Sequence, residues 1–151
     1  METDIREKIN TLIKRQYRCV LATASENRPL CSLMAYAANA SCSEIYLMTL
    51  KNSRKYQNMC ENPAVSILID TRKDTPGFDH NQTMALTLSG HFDRNIDDIE
   101  RERILKELSG KHPELKDFFE NPEMEPVKII VTSCLLMEGP AKAHHIEFSD
   151  L

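Results

Sequence analysis

A series of short apolar segments, separated by turn-forming residues, most constrains how this chain can fold. The segments cover residues 19–25, 30–38, 44–50, 64–70, 83–94, 127–139 and 141–148. Asn27 and Pro29 lie between the first two, and Gly139 and Pro140 lie between the last two. Short apolar runs bounded by such residues are typical of β-strands, and neighbouring runs of hairpins. Six or seven strands in one chain of this size predict a small closed or partly closed barrel.

Four other segments have helical patterns, over residues 3–16, 53–60, 96–110 and 112–121. The first carries its apolar residues at one-face spacing, namely Ile5, Ile9, Leu12 and Ile13. Gly110 fits the end of the third helix, because glycine readily takes the conformation that closes a helix. These segments predict helices that flank the sheet.

Three details of the strands are predicted as well. The segment 30–38 is apolar throughout, so we expect a strand that is buried on both faces. Residues 71–81 have no periodicity and contain Pro76 and Gly77, which predicts an exposed loop. Gly90 lies inside the long fifth strand, which predicts a bulge or bend there.

Composition limits the class of protein. With 151 residues the chain is expected to form one domain, over residues 1–151. The formal net charge is -4, which argues against nucleic acid and acidic membranes as partners. We expect no membrane span, because no apolar run approaches the roughly 18 residues of a spanning helix. The charged first ten residues do not resemble a secretory signal.

The cysteines predict a reducing compartment rather than a disulfide framework. Their count is 5, an odd number, and no two have CxxC spacing, so we expect free thiols and a cytoplasmic protein. The adjacent pair His144 and His145 lacks the spacing of zinc ligands, so no metal site is predicted.

The segment TLKNSRK, residues 49–55, stands out in this acidic chain. Lys51, Arg54 and Lys55 fall within five positions, with Asn52 and Ser53 among them. The start of a helix leaves backbone N–H groups unpaired and carries partial positive charge, so the segment suits an anion, most naturally a phosphate. The alternative is a solvated basic patch on a surface helix that is capped by Asn52 or Ser53.

Residues 45–70 resemble the pyridoxamine 5′-phosphate oxidase-like superfamily of FMN-binding split β-barrels. The matching residues are Thr49, Ser53, Arg54, Lys55, Asn62, Pro63, Val65 and Ser66. Residues 21–37 and 86–94 resemble the hairpin and the glycine-ending strand of the family. The resemblance implies a mainly β fold with flanking helices (α+β), a Greek-key-like split barrel that binds FMN. It also implies a homodimer with two flavin sites at its interface.

The resemblance further implies roles for individual residues. The cofactor-binding residues that it predicts are Ser32, Leu33, Met34, Ala35, Met48, Thr49, Asn52, Ser53, Arg54 and Lys55. Arg54, Lys55 and the Ser53 hydroxyl would bind the FMN phosphate. Residues 48 and 49 would lie beside the ribityl chain or ring, and residues 32–35 would line the isoalloxazine largely through backbone groups. The side chains of Leu33 and Tyr36 are instead expected in the core.

The chain departs from true pyridoxamine phosphate oxidases at several points. Ser32 occupies the position of a family arginine, the C-terminal Arg-x-His signature is missing, and the chain has no Trp. We therefore expect an FMN-dependent oxidoreductase acting on another small molecule or on a nicotinamide cofactor, with no catalytic acid or base identified. Two alternatives stay open. One is a non-catalytic flavin or electron carrier or redox sensor. The other is a split barrel that binds deazaflavin, or haem through His91, His144 or His145.

Overall fold

A computed structural model describes residues 2–73, 77 and 79–148 of the chain. Its helices are α1 (Glu2–Arg15), α2 (Arg54–Glu61), α3 (Asp98–Lys111) and α4 (Lys116–Phe119). Its strands are β1 (Arg18–Ser25), β2 (Arg28–Ala35), β3 (Ala37–Ala38), β4 (Glu44–Leu50), β5 (Ala64–Asp70), β6 (Met84–Asp93), β7 (Met124–Glu138) and β8 (Lys142–Glu147). Short 3₁₀ turns precede β6 and α4.

All the strands belong to one antiparallel sheet in the order β2-β1-β5-β6-β7-β4-β3, with β8 also paired to β7. Strands β2 and β3 lie at opposite ends of this order, although only Tyr36 separates them in the chain. The sheet must therefore curl until its two ends nearly meet. This confirms the predicted mainly β split barrel with flanking helices, with eight strands in the described residues rather than six or seven.

The core fills the inside of the curled sheet and continues under the helices. One apolar cluster joins α1, through Ile9 and Ile13, to the strands, and a second joins α3 and α4 to the outer side of β4. Of the four apolar residues that the helical spacing predicted for the buried face of α1, Ile9, Leu12 and Ile13 are buried and Ile5 is half-buried. Burying each such side chain contributes roughly 1.5–3 kcal/mol.

The segment predicted as one strand over residues 30–38 is divided at Tyr36. The ring of Tyr36 is fully buried, and its hydroxyl donates a hydrogen bond to the Ile13 carbonyl at 2.5 Å. The prediction that the segment is buried on both faces is wrong for β2. That strand pairs only with β1 in the described sheet, and the Leu33 side chain is 67% exposed. The prediction that Leu33 is a core residue is therefore also wrong, whereas Tyr36 is a core residue.

Other differences have local causes. Helix α3 continues past Gly110 and ends at Lys111. It ends there because His112 precedes a proline and takes a non-helical conformation, with φ -127° and ψ 70°. The helix predicted over 112–121 is consequently reduced to a 3₁₀ turn and the one-turn helix α4. The predicted bulge is confirmed by a register shift between Ser89 and Gly90. Part of the predicted loop 71–81 lies outside the described residues.

Strand β7 begins at Met124, earlier than the predicted residue 127, and includes Pro126. Strand β6 pairs with β7 only from Lys128 onward, so β7 has a single neighbour, β4, at Pro126. A proline is tolerated where one side of a strand is open. No helix in the described part of the chain is both long and apolar enough to span a bilayer.

Candidate functional site

The start of α2 is organised by the Ser53 side chain. Ser53 has an extended backbone, with φ -72° and ψ 152°, and its hydroxyl oxygen accepts a hydrogen bond from the Tyr56 N–H at 3.2 Å. The Ser53 N–H in turn donates to the Leu50 carbonyl at 3.0 Å, which closes the turn after β4. Of the two predicted capping residues, Ser53 is therefore the cap, while Asn52 is exposed in the turn.

A second hydroxyl adjoins this cap. The Thr49 and Ser53 hydroxyl oxygens are 2.9 Å apart, and Thr49 is only 4% exposed. One hydroxyl hydrogen joins the two oxygens, whichever residue donates it. The pair therefore keeps one hydroxyl hydrogen that can be donated to a ligand beside the unpaired N–H groups of the helix start.

Thr49 and Ser53 line a cleft of about 280 Å³. The cleft is bounded by the end of β2, the end of β4, the start of α2, and α4. It brings together seven of the ten predicted cofactor-binding residues: Leu33, Met34, Ala35, Met48, Thr49, Ser53 and Lys55. The curl of the sheet is the reason, because it carries the ends of β2 and β4 towards each other from opposite ends of the strand order.

Three predicted residues do not line this cleft. Ser32 is half-buried and pairs with Leu21 of β1, and Asn52 lies in the exposed turn. Arg54 is exposed and lines a different cleft, of about 420 Å³, between α2 and the β1–β2 hairpin. Successive residues of a helix point about 100° apart, so Arg54 and Lys55 at the start of α2 line different clefts.

The three basic residues of the segment 49–55 have different electrostatic surroundings. Lys51 forms an ion pair with Glu125 at 3.4 Å, and Arg101 contacts the same carboxylate at 3.0 Å. Arg54 and Lys55 form no ion pair with any described residue. Lys55 therefore lines the cleft as a basic side chain that has no carboxylate partner among the described residues.

The rest of the cleft lining is apolar and was not predicted from the sequence. Its additional lining residues are Leu50, Leu115, Phe118, Phe119 and Met124. Most of them come from α4 and the start of β7, which are more than sixty positions from the segment 49–55. The sequence offered one signal, the aromatic pair Phe118–Phe119, of which only Phe119 is buried.

Helix α4 is held in place by a buried histidine. His112 is 2% exposed, and its Nε2 atom is 2.7 Å from the Tyr36 carbonyl oxygen. The buried ring of Phe119 packs against His112 edge to face, with centroids 6.3 Å apart. Helix α4, which forms one side of the cleft, is therefore connected to the β2–β3 junction. This junction directly follows the residues of β2 that also line the cleft.

The arrangement can bind a ligand with two chemically different parts. The start of α2 supplies Lys55, a free hydroxyl hydrogen and unpaired backbone N–H groups, which favour an anion. Strand β2 and helix α4 supply aliphatic and aromatic surfaces, which favour a ring system.

Comparison with known proteins agrees with the fold. A family model described as pyridoxamine 5′-phosphate oxidase matches residues 5–132. No curated protein matches the sequence. Among solved structures, a heme-binding protein from Mycobacterium smegmatis superposes with a TM-score of 0.81 at 17% identity, covering 94% of this chain and 57% of that chain. This chain therefore spans little more than half the length of that protein.

Two further structures match over nearly their whole length. General Stress Protein 26 from Bacillus anthracis has a TM-score of 0.71 at 18% identity, covering 95% of this chain and 98% of that chain. An FAD-binding protein from Mesorhizobium loti has a TM-score of 0.68 at 16% identity, covering 86% and 91% respectively. At these identities the structural matches establish the fold. The family model covers most of the sequence, and on that ground the chain belongs to the pyridoxamine 5′-phosphate oxidase family.

Proposed function

We propose that the chain binds FMN in the cleft between β2, β4, α2 and α4, and that the complex is an oxidoreductase. The observation that carries the proposal is the mixed lining of the cleft, with a cation and hydroxyl groups from the start of α2 and the end of β4, and apolar side chains from β2, α4 and the start of β7. FMN has the matching shape, with a phosphate joined by a polar chain to a flat ring. The FAD-binding protein from Mesorhizobium loti, with the same fold, supports a flavin.

The phosphate is assigned to the start of α2. A phosphate dianion needs cations and hydrogen-bond donors, and Lys55, the Thr49–Ser53 hydroxyl pair and the first N–H groups of α2 supply both. Arg54 would add positive charge from the other side of the same helix turn.

The ring is assigned to the apolar surfaces of β2 and α4. Residues Leu33–Ala35 of β2 would contact it largely through backbone groups, and Met48 would lie beside the ribityl chain or ring. FMN supplies hydride or electron transfer, while the protein binds it, orients it and limits access of water. The electron donor or substrate is proposed to be a small molecule or a nicotinamide cofactor. Pyridoxamine phosphate is not proposed, because Ser32 stands where the oxidases have an arginine.

The protein is also proposed to be a homodimer. Strand β2 pairs only with β1 in the described sheet and exposes Leu33, an open apolar edge that needs cover in solution. The cleft, at about 280 Å³, is just below the usual range of ligand pockets, roughly 300–1,000 Å³. A second copy at β2 would both cover the edge and enlarge the site. The free cysteines fit a cytoplasmic location.

A second candidate ligand is haem, since the Mycobacterium smegmatis protein is described as heme-binding. Haem requires an axial ligand, and none of the three candidate histidines lines the cleft. His144 contacts Glu138 at 2.9 Å, and His145 contacts Glu147 at 3.4 Å, while His91 is exposed on β6. Haem would therefore have to bind elsewhere on this chain, and the cleft favours flavin. A deazaflavin would use the same phosphate site, and a non-catalytic flavin carrier would use the same cleft.

The test is the absorption spectrum of the purified protein, recorded alone, after adding FMN, and after adding reduced nicotinamide cofactor. Flavin bands that persist through gel filtration and bleach with the reductant would support the proposal. Flavin that is bound but never reduced or turned over would favour the carrier. A Soret band would favour haem. The double variant Arg54→Ala/Lys55→Ala is expected to fold normally and to lose FMN, and unchanged flavin occupancy would refute the phosphate assignment.

A further inference from the structure

Phe118 is the most exposed aromatic side chain that lines the cleft. It is 50% exposed, although its neighbour Phe119 is only 3% exposed. A large aromatic ring that stays half in water at the mouth of an apolar cleft gives up burial that a ligand can restore. Its position at the cleft distinguishes it from Ile99, which is 81% exposed on α3 and lines none of the clefts described above.

The position of Phe118 is fixed by packing rather than by its own burial. Its ring lies 5.9 Å from the ring of Phe119, which packs against His112. His112 is hydrogen-bonded to the carbonyl of Tyr36, directly after the segment of β2 that lines the cleft. This series of contacts connects Phe118 to β2, so the two sides of the cleft are held at a set separation before any ligand binds. Such pre-organisation lowers the entropic cost of binding.

The element that carries Phe118 then assigns it to one part of the ligand. Lys55 and Ser53 belong to the start of α2, whereas Phe118 lines the cleft from α4, together with Leu115 and Phe119. We propose that Phe118 contacts the ring of the bound flavin and is a determinant of ring recognition, separate from the phosphate contacts at α2. This inference rests on the proposed function, because it takes flavin as the ligand.

Riboflavin provides the probe, because it has the flavin ring and ribityl chain but no phosphate. Phe118→Ala should weaken the binding of riboflavin and of FMN by the same factor, about 2- to 12-fold, which is the range expected when an aromatic ring contact is lost. Lys55→Ala should weaken the binding of FMN but not that of riboflavin. Phe118→Leu, which keeps an apolar side chain but removes the ring, should lie between wild type and Phe118→Ala. Ile99→Ala is the matched control and should change neither affinity.

A second readout is independent of affinity. An indole that touches a flavin ring quenches flavin fluorescence strongly by electron transfer, and the quenching requires near contact. Phe118→Trp should therefore quench bound FMN several-fold more than wild type does, while Ile99→Trp should not. Because Phe118 is half exposed, all three replacements are expected to fold, which circular dichroism can confirm.

The outcomes separate the two proposals. Wild-type FMN binding together with unchanged affinity and unchanged fluorescence in the Phe118 variants would overturn the inference and leave the proposed function intact. An effect of Phe118→Ala on FMN but not on riboflavin would also overturn it, since the contact would then be to the phosphate end. A Phe118→Ala protein that becomes monomeric in the absence of flavin would assign the Phe118 ring to the subunit interface, which would also overturn the inference. Absence of flavin binding by wild type would refute both proposals.

Discussion

Removing Lys55 should weaken FMN binding far more than removing Arg54. The two residues are adjacent, and the family resemblance gives both of them to the phosphate. In the structure only Lys55, which is half-buried, lines the cleft beside Ser53, whereas Arg54 is exposed and faces the cleft on the other side of α2. The side of the helix that each residue occupies should therefore determine its contribution.

The magnitudes follow from these environments. A hydrogen bond to a charged group contributes about 1.5–3 kcal/mol, so Lys55→Ala should raise the Kd for FMN about 10- to 150-fold. An exposed charge near the phosphate contributes about 0–1 kcal/mol, because water and salt screen it. Arg54→Ala should therefore raise the Kd by no more than about 5-fold.

The assay is a titration of the flavin-free protein, in which FMN binding is followed by flavin fluorescence. Lys106→Ala is a suitable control, because it removes the same charge from an exposed position on α3 and should leave the Kd unchanged. Raising the salt concentration should reduce the effect of Arg54→Ala more than that of Lys55→Ala. If Arg54→Ala costs as much affinity as Lys55→Ala, the phosphate does not bind on the Lys55 side of α2 and the reasoning is wrong.

Three further predictions concern stability and reactivity. Gly90→Ala should lower the free energy of unfolding by about 3 kcal/mol, the upper part of the range for overpacking, because a Cβ at this bulge would overlap the Ile130 carbonyl oxygen. Urea denaturation measures this, and an unchanged urea midpoint would contradict it. Ser53→Ala should cost about 1 kcal/mol through loss of the cap, whereas Ser53→Asp should keep the cap but weaken FMN binding through repulsion of the phosphate. At pH 8, iodoacetamide should label the exposed Cys31 well before Cys19, because burial raises the pKa of the Cys19 thiol to about 12 and keeps it protonated. Equal labelling of the two cysteines by mass spectrometry would show that β1 opens readily.

The pKa of Cys19 also has a consequence for stability at high pH. A thiol whose pKa is raised in the folded state stabilises the fold fully below its unfolded pKa, near 9. That contribution is lost as the pH rises from about 9 towards 12. Burial raises the pKa of Tyr36 as well, so both groups act in the same direction.

Much of the fold could be predicted because its signals are local. The spacing of Ile9 and Ile13 fixed the buried face of α1, and Gly90 marked the bulge in β6. Ser53 carried its own cap signal, since a hydroxyl at the start of a helical pattern bonds an N–H three residues on. The prediction failed for β2, because an apolar strand has the same composition in a core as at an edge that another surface covers.

The sequence by itself determined most of the strands and helices, the hydroxyl and basic residues at the start of α2, and the family. Those features depend on residue spacing, turn chemistry and short motifs, all of which act over a few positions. Only the tertiary structure decided that Lys55 faces the cleft while Arg54 faces away, because that depends on how α2 docks onto the sheet. It also brought Phe118 to the site, since contacts between residues far apart in sequence form only when the sheet curls and α3 carries α4 back to β2.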